Sequence, residues 1–253
     1  MKTVSILGVP IHPHTYDSWL DHIATWIQAA DRLYHVCTVN PEFVIIAQSD
    51  PGFYRVLCQA DACLADGTGL FLASRWLKRP LPSRVTGSDG VPKLAERAAH
   101  EGWRLFLLGA ASGVADQAAA KLQVVHPALQ IVGTYAGSPA DTEAEAILAM
   151  VNASGADVLL VAYGAPKQDL WIAQHRDQLQ VKVAMGVGGS FDFIAGVIPR
   201  APRWMRRLGI EWLFRLLRQP SRWRRMLRLP TFVLAVLRYG EHPTPKLSKH
   251  LNI

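Results

Sequence analysis

Ala60-Asp61-Ala62-Cys63-Leu64-Ala65-Asp66-Gly67-Thr68-Gly69 reads as a short buried strand, Ala60 to Ala65, that runs into a glycine-rich turn carrying one carboxylate. Gly67 and Gly69 remove side-chain bulk and admit backbone angles that other residues resist. A helix is expected to follow from Leu70 to Leu77. A carboxylate at the carboxyl end of a strand, in such a turn, lies where open α/β sheets bind ligands. Asp66 therefore reads as a general base, against the plainer reading of a turn aspartate or helix cap.

The same unit recurs in both directions along the chain. Towards the N-terminus, Tyr34 to Val39 forms a strand that ends in Thr38-Val39-Asn40-Pro41-Glu42, with Asn40 placed to cap the helix that Pro41 begins. Thr38 and Asn40 present short polar groups at that strand end. Before it stand a first strand, Val4 to Val9, and an amphipathic helix, Tyr16 to Ala29, with Trp19, Ile23, Trp26 and Ile27 at core spacing. His12 and His14 flank Pro13, but a metal site needs three or four ligands and no carboxylate or cysteine cluster adjoins them.

Towards the C-terminus, Arg84-Val85-Thr86-Gly87-Ser88-Asp89 forms a loop in which Arg84 is a candidate phosphate clamp. Ser88 and Asp89 are placed to cap the helix from Val91 to His100. Trp103 to Leu108 is a strand, followed by Gly109-Ala110-Ala111-Ser112-Gly113 and the helix Val114 to Gln123. That loop can direct backbone N–H groups at a phosphate, although it lacks a full dinucleotide fingerprint. Leu129 to Tyr135, Asp157 to Ala162 and Val181 to Val187 continue the strands. The turns after the last two are Gly164-Ala165-Pro166-Lys167-Gln168 and Gly188-Gly189-Ser190-Phe191-Asp192. Five or six such units in succession predict an α/β fold: a mostly parallel, Rossmann-like sheet sandwiched by helices.

Near Pro199 the composition changes. The chain has 253 residues and a net charge of +7; residues 1–198 carry 14 Lys+Arg against 18 Asp+Glu, and residues 199–253 carry 13 against 2. A mildly acidic α/β catalytic domain over 1–198 thus precedes a basic appendage over 199–253. In the appendage arginines alternate with Trp, Leu and Phe at helical spacing, the pattern of helices lying in an anionic membrane interface. Nucleic acid is the competing partner for an arginine-rich stretch, and the density of apolar residues favours lipid over it. Leu229 to Leu237, the longest apolar run here, is too short to span a bilayer. The last dozen residues read as frayed. Cys37, Cys58 and Cys63 read as reduced, buried thiols of a cytoplasmic protein, and their spacing fits no zinc motif.

Taken in order, the strand-end motifs resemble those of the WecG/TagA/CpsF family of bacterial glycosyltransferases. The likeness rests on Thr38-Val39-Asn40-Pro41-Glu42, Ala65-Asp66-Gly67-Thr68-Gly69, Arg84-Val85-Thr86-Gly87-Ser88-Asp89, Leu107-Leu108-Gly109 and Gly164-Ala165-Pro166-Lys167-Gln168. It continues through Gly186-Val187-Gly188, Phe191-Asp192-Phe193, Arg200-Ala201-Pro202 and Glu211-Trp212-Leu213-Phe214-Arg215, and covers roughly residues 4–240.

The resemblance implies an inverting transfer of a sugar, N-acetylmannosamine or a related hexose, from a UDP-sugar to a polyprenyl-diphosphate-linked sugar. The setting it implies is cell-surface polysaccharide synthesis on the cytoplasmic face of the membrane, with the enzyme attached peripherally. UDP-glucose-dependent transfer in exopolysaccharide assembly is the alternative within the class. A nucleotide-dependent dehydrogenase and a non-enzymatic membrane adaptor are the alternatives outside it. The resemblance carries Asp66 over as the base. It gives Thr38, Asn40, Arg84 and Gln168 to substrate, together with Arg215, Arg222 and Arg225 of the appendage. Gly109, Tyr135, Val187, Phe191 and Asp192 fall to the nucleotide, Val187 and Phe191 being equally readable as core. No Asp-x-Asp pair is present, so neither a metal nor another cofactor is expected in the reaction. A dimer or trimer would bury apolar surface beside the appendage.

Overall fold

The computed structural model describes residues 2–218, 220 and 223–251. Its centre is a six-stranded parallel sheet built from β3 (Tyr34–Val39), β4 (Ala62–Ala65), β5 (Arg104–Gly109), β6 (Gln130–Tyr135), β7 (Val158–Ala162) and β8 (Val183–Gly186), in the order β4-β3-β8-β7-β5-β6. Every neighbouring pair is parallel, with Val39 opposite Ala65 and Cys37 opposite both Cys63 and Gly186. All six carboxyl ends therefore open on one edge of the sheet, which makes the α/β expectation correct and puts the strand-end motifs side by side.

Strand alternation divides the interior in two. On one face Val36, Leu64, Leu107, Leu160 and Met185 pack against α1 (Tyr16–Ala29), α5 (Gly87–Glu101), α6 (Val114–Val125) and α9 (Ser190–Ala195). On the other, Cys37, Val39, Cys63, Ala65, Phe106, Leu159 and Val161 meet α2 (Pro41–Ala47), α3 (Pro51–Gln59), α4 (Thr68–Trp76), α7 (Asp141–Ala153) and α8 (Lys167–Gln174). Burial on both faces explains why the strands are near-continuous apolar runs.

Several expectations need correction. Val4 to Val9 is not a strand of the sheet: β1 (Val4–Ile6) and β2 (Val9–Ile11) form a separate antiparallel hairpin turned by Leu7 and Gly8, both at positive φ. Strands of three residues give too little periodicity to separate a hairpin from one strand. The helix expected at Val91 starts four residues earlier, at Gly87, capped by Thr86 rather than by Ser88 or Asp89; Thr86 Oγ1 accepts from Asp89 N. Cys58 is exposed, not buried.

The last dozen residues are not frayed over their described part. Helix α14 (Pro245–Leu251) buries Leu247, and Leu7 N and Gly8 N donate to Gly240 O and Glu241 O. Between them and the sheet lie α10 (Arg203–Leu208), α11 (Glu211–Arg218), α12 (Trp223–Met226) and α13 (Arg228–Tyr239). Helix α13 packs on α2 and α4 and sends Phe232 and Val236 into the core, while Val233, Leu234 and Leu237 stay exposed. Among the described residues no helix is long and apolar enough to cross a membrane.

Candidate active site along the carboxyl edge of the sheet

Asp66 follows β4 directly. Its N–H donates to Val39 O (2.7 Å), so the turn continues the β3–β4 ladder by one bond. Its carboxylate Oδ2 accepts from Gly87 N (3.2 Å), the first residue of α5. The site carboxylate thus sits at the N-terminus of a fifteen-residue helix, whose dipole attracts negative charge. Gly87 is closely packed: an added Cβ would lie 3.1 Å from Ser190 Oγ and in ordinary contact, at 3.6 Å, with Thr38 Cγ2. One helix end therefore joins Asp66, Thr38 and the turn after β8.

Asn40 follows β3, beside Asp66, because Val39 and Ala65 are paired. Its Oδ1 caps α2 by accepting from Glu42 N (2.9 Å) and Phe43 N (3.2 Å). Thr38 is buried and donates to Gly186 O (2.7 Å). Arg84 Nη1 donates to Thr68 Oγ1 (2.9 Å) at the start of α4. Gln168 is 1% exposed, and its Oε1 accepts from both Gly164 N (3.2 Å) and Gly188 N (2.9 Å). It thereby ties the turn after β7 to the turn after β8. Gly186 makes room for this, since a Cβ there would fall 2.4 Å from Gln168 Nε2.

The nucleotide candidates lie further along the same edge. Gly109 ends β5 at φ +101°, where a Cβ would come within 2.8 Å of the Ala162 carbonyl carbon. Tyr135 ends β6 and is partly exposed. Val187 and Phe191 have their side chains in the core, so only the backbone of the Val187–Ser190 turn faces the edge from there. Asp192 lies in α9, and its carbonyl accepts from Ile198 N. Five strand spacings separate β4 from β6, about 24 Å. The edge thus runs from Asp66 and Asn40 at one end, past Thr38 and Gln168, to Gly109 and Tyr135 at the other.

The appendage reaches the Asp66 end. Arg225 makes a two-nitrogen ion pair with Glu42 (2.6–3.0 Å), and Arg228 pairs with the same carboxylate. Thr68 Oγ1 also donates to Gly209 O (3.4 Å). Arg222 lies outside the described residues, as does the side chain of Arg215.

Three residues at this edge had no place in the sequence reading of the site. Tyr16 Oη accepts from Thr86 N (3.1 Å) and shares a hydrogen bond with Thr86 Oγ1 (3.2 Å). Burial, with help from the Asp89 and Asp66 charges, holds its phenol above the ordinary value. Arg200 pairs with Asp89 (2.5 Å) at the start of α5. Glu42 receives the two tail arginines. Arg200 and Glu42 stand in motifs already singled out, so their presence was legible but not their partners; Tyr16 carries only the signal of a core aromatic.

The arrangement is a set of strand-end polar groups about a carboxylate, bordered by arginines, and relatives of the chain share its length. A family model described as "Glycosyl transferase WecG/TagA/CpsF family" matches residues 4–245. An N-acetylglucosaminyldiphosphoundecaprenol N-acetyl-beta-D-mannosaminyltransferase of Bacillus spizizenii is 35% identical over 239 residues, 94% of this chain and 92% of that protein. Proteins of the same name from Bacillus subtilis and Staphylococcus aureus (strain MRSA252) are 33% and 34% identical, over 94% and 92% of this chain and 92% and 91% of their own. Breadth and identity together leave no room for a shared fold alone: the chain belongs to the WecG/TagA/CpsF family and is a glycosyltransferase.

Proposed function

We propose that the protein transfers N-acetylmannosamine from a UDP-sugar to a polyprenyl-diphosphate-linked sugar, with inversion, in cell-surface polysaccharide synthesis. The names of its relatives support the acceptor class and the sugar. The observation that carries the mechanism is the Asp66 carboxylate, held by the Gly87 N–H at the mouth of the β3–β4 pair.

In this reading Asp66 accepts the proton of the acceptor hydroxyl as that oxygen attacks the anomeric carbon. The bond to UDP breaks in the same displacement, and the leaving diphosphate takes the electron pair. Asn40 and Thr38 beside Asp66, and Gln168 one turn along, orient the sugars by hydrogen bonds. Arg84 holds a phosphate. The uridine lies towards Gly109 and Tyr135, with Asp192 and the backbone near Val187 and Phe191 between. Helix N-termini along the edge, with Arg215, Arg222 and Arg225 of the appendage, offset the charge developing on UDP, so no metal or other cofactor is required in the reaction.

Residues 199–253 serve as the membrane-facing appendage of a catalytic body formed by 1–198. Exposed Val233, Leu234 and Leu237 on α13, with Trp223 and Leu227 before it, supply an apolar surface among arginines. Such a surface suits peripheral attachment to an anionic leaflet, the cytoplasmic face in this reading. The test is transfer to a synthetic polyprenyl-diphosphate N-acetylglucosamine, screened with UDP-N-acetylmannosamine, its uronic acid, UDP-glucose and UDP-galactose. Turnover with UDP-N-acetylmannosamine alone is expected. Turnover with UDP-glucose alone would replace the donor, and no turnover together with no UDP binding would overturn the reading.

A further inference from the structure

Beneath the carboxyl edge, between β3 and α8, three metal-ligating side chains converge in a fully buried place. They are His35 and Cys37, two residues apart on one face of β3, and Asp169 of α8. His35 Nε2 lies 3.5 Å from Asp169 Oδ1 and 3.5 Å from Cys37 Sγ. All three donor atoms fall within 4.8 Å of one another.

Asp169 is the anomaly that calls for an explanation. It is 0% exposed, and neither carboxylate oxygen accepts a hydrogen bond. A buried carboxylate in that condition is costly unless a cation or proton compensates it. Arg32, three residues before His35, and Arg176, seven after Asp169, are both spent on Asp61. The chain nevertheless makes space for this carboxylate: a Cβ on Gly186 would lie 2.5 Å from Asp169 Oδ1.

The two spacings from His35 match a tetrahedral divalent cation. Zinc bonds of about 2.0–2.1 Å to nitrogen, 2.3 Å to sulfur and 2.0–2.2 Å to oxygen give N···S and N···O edges of about 3.6 and 3.3 Å. The observed edges are both 3.5 Å. Thiolate and carboxylate together supply two negative charges, which such an ion neutralises. Cys63, in register with Cys37 on β4, packs in the same core with its thiol donating to Leu57 O, so the protein donors are these three side chains.

We infer that His35, Cys37 and Asp169 bind a structural zinc ion that clamps α8 to β3. The site is closed to solvent, unlike the strand-end edge above it, and so it is structural rather than catalytic. It lies one residue from Gln168, which gives the clamp a consequence for the site without a part in the chemistry. The inference stands whether or not the proposed donor and acceptor are correct, because its readout is metal content.

The test is elemental analysis of the full-length protein, expressed with zinc and desalted, alongside Cys37→Ser and Asp169→Asn. About one zinc per chain is expected in the wild type, falling at least tenfold in both variants. Protein refolded with cobalt should show a thiolate-to-cobalt charge-transfer band that Cys37→Ser lacks. Should the variants fail to fold, the wild-type stoichiometry and cobalt band decide alone. Wild type with less than a tenth of a zinc per chain and no cobalt band would overturn the inference, leaving His35 and Asp169 as a buried imidazole–carboxylate contact. Zinc retained at full stoichiometry in both folded variants would also overturn it.

Discussion

Replacing Gln168 by leucine removes an acceptor without emptying the space it fills. Gln168 Oε1 is the partner of two backbone donors, Gly164 N at 3.2 Å and Gly188 N at 2.9 Å, and the residue is 1% exposed. A donor left unpaired in a buried place costs about 1–3 kcal/mol. Both donors here are partly rather than fully buried, which puts each near the low end. The two together come to about 2–3 kcal/mol, and at roughly 2–4 °C per kcal/mol in a chain of this size the melting temperature should fall by about 5–10 °C. Urea unfolding should show a lower midpoint at unchanged slope. Gln168→Ala adds the cost of a cavity, about 1–2 kcal/mol more. The two variants separate hydrogen bonding from packing. If Gln168→Leu stays within about 0.5 kcal/mol of wild type while Gln168→Ala falls, the residue is filler, and its role in joining the two turns is refuted.

Other outcomes follow from the same structure. Gly186→Ala puts a methyl 2.4 Å from Gln168 Nε2 and 2.5 Å from Asp169 Oδ1, and should destabilise by about 2–3 kcal/mol in thermal or urea unfolding. Glu42→Ala frees Arg225 and Arg228, whose side chains are about two-fifths exposed, so each pair contributes about 0.5–1 kcal/mol. A salt-sensitive loss of about 1–2 kcal/mol is expected, with faster tryptic cleavage in the tail. Burial, with His22 and His12 close by, lowers the His14 pKa from 6.5 to about 4. The unfolded chain therefore binds the proton more readily, and the folded state loses stability as pH falls from about 6.5 towards 4. In His14→Asn, the drop in urea midpoint between pH 7 and pH 5 should be smaller than in wild type.

The strand ends were legible because their chemistry is local. Asn40 before Pro41, Asp66 before Gly67 and the glycines near residue 188 each announce a turn within a few residues, and each sits at a strand end in the structure. A run of strand–turn–helix units sufficed for a parallel sheet. What the sequence could not show depends on distance along the chain. The Glu42–Arg225 pair spans 183 residues, and His35 meets Asp169 only because α8 packs across β3. Phe191 shows a second limit: an aromatic after a glycine turn serves a nucleotide or a core equally well, and only the packing of α9 on α6 puts its side chain inside. Thr86 displaced the expected caps of α5 because its hydroxyl reaches Asp89 N, a choice among three adjacent polar residues that composition does not decide.

In the proposed reaction Asp66 takes the proton of the acceptor hydroxyl. Its most direct test is turnover of Asp66→Asn with UDP-N-acetylmannosamine and a polyprenyl-diphosphate N-acetylglucosamine acceptor, with UDP affinity and melting temperature measured on the same preparation. Asparagine keeps the size of the side chain and an oxygen for the Gly87 N–H, so the fold and UDP binding should persist. Turnover should fall by about 10²–10⁴-fold, the usual contribution of a positioned base. Turnover within tenfold of wild type, in a variant that binds UDP and melts normally, would contradict the assignment.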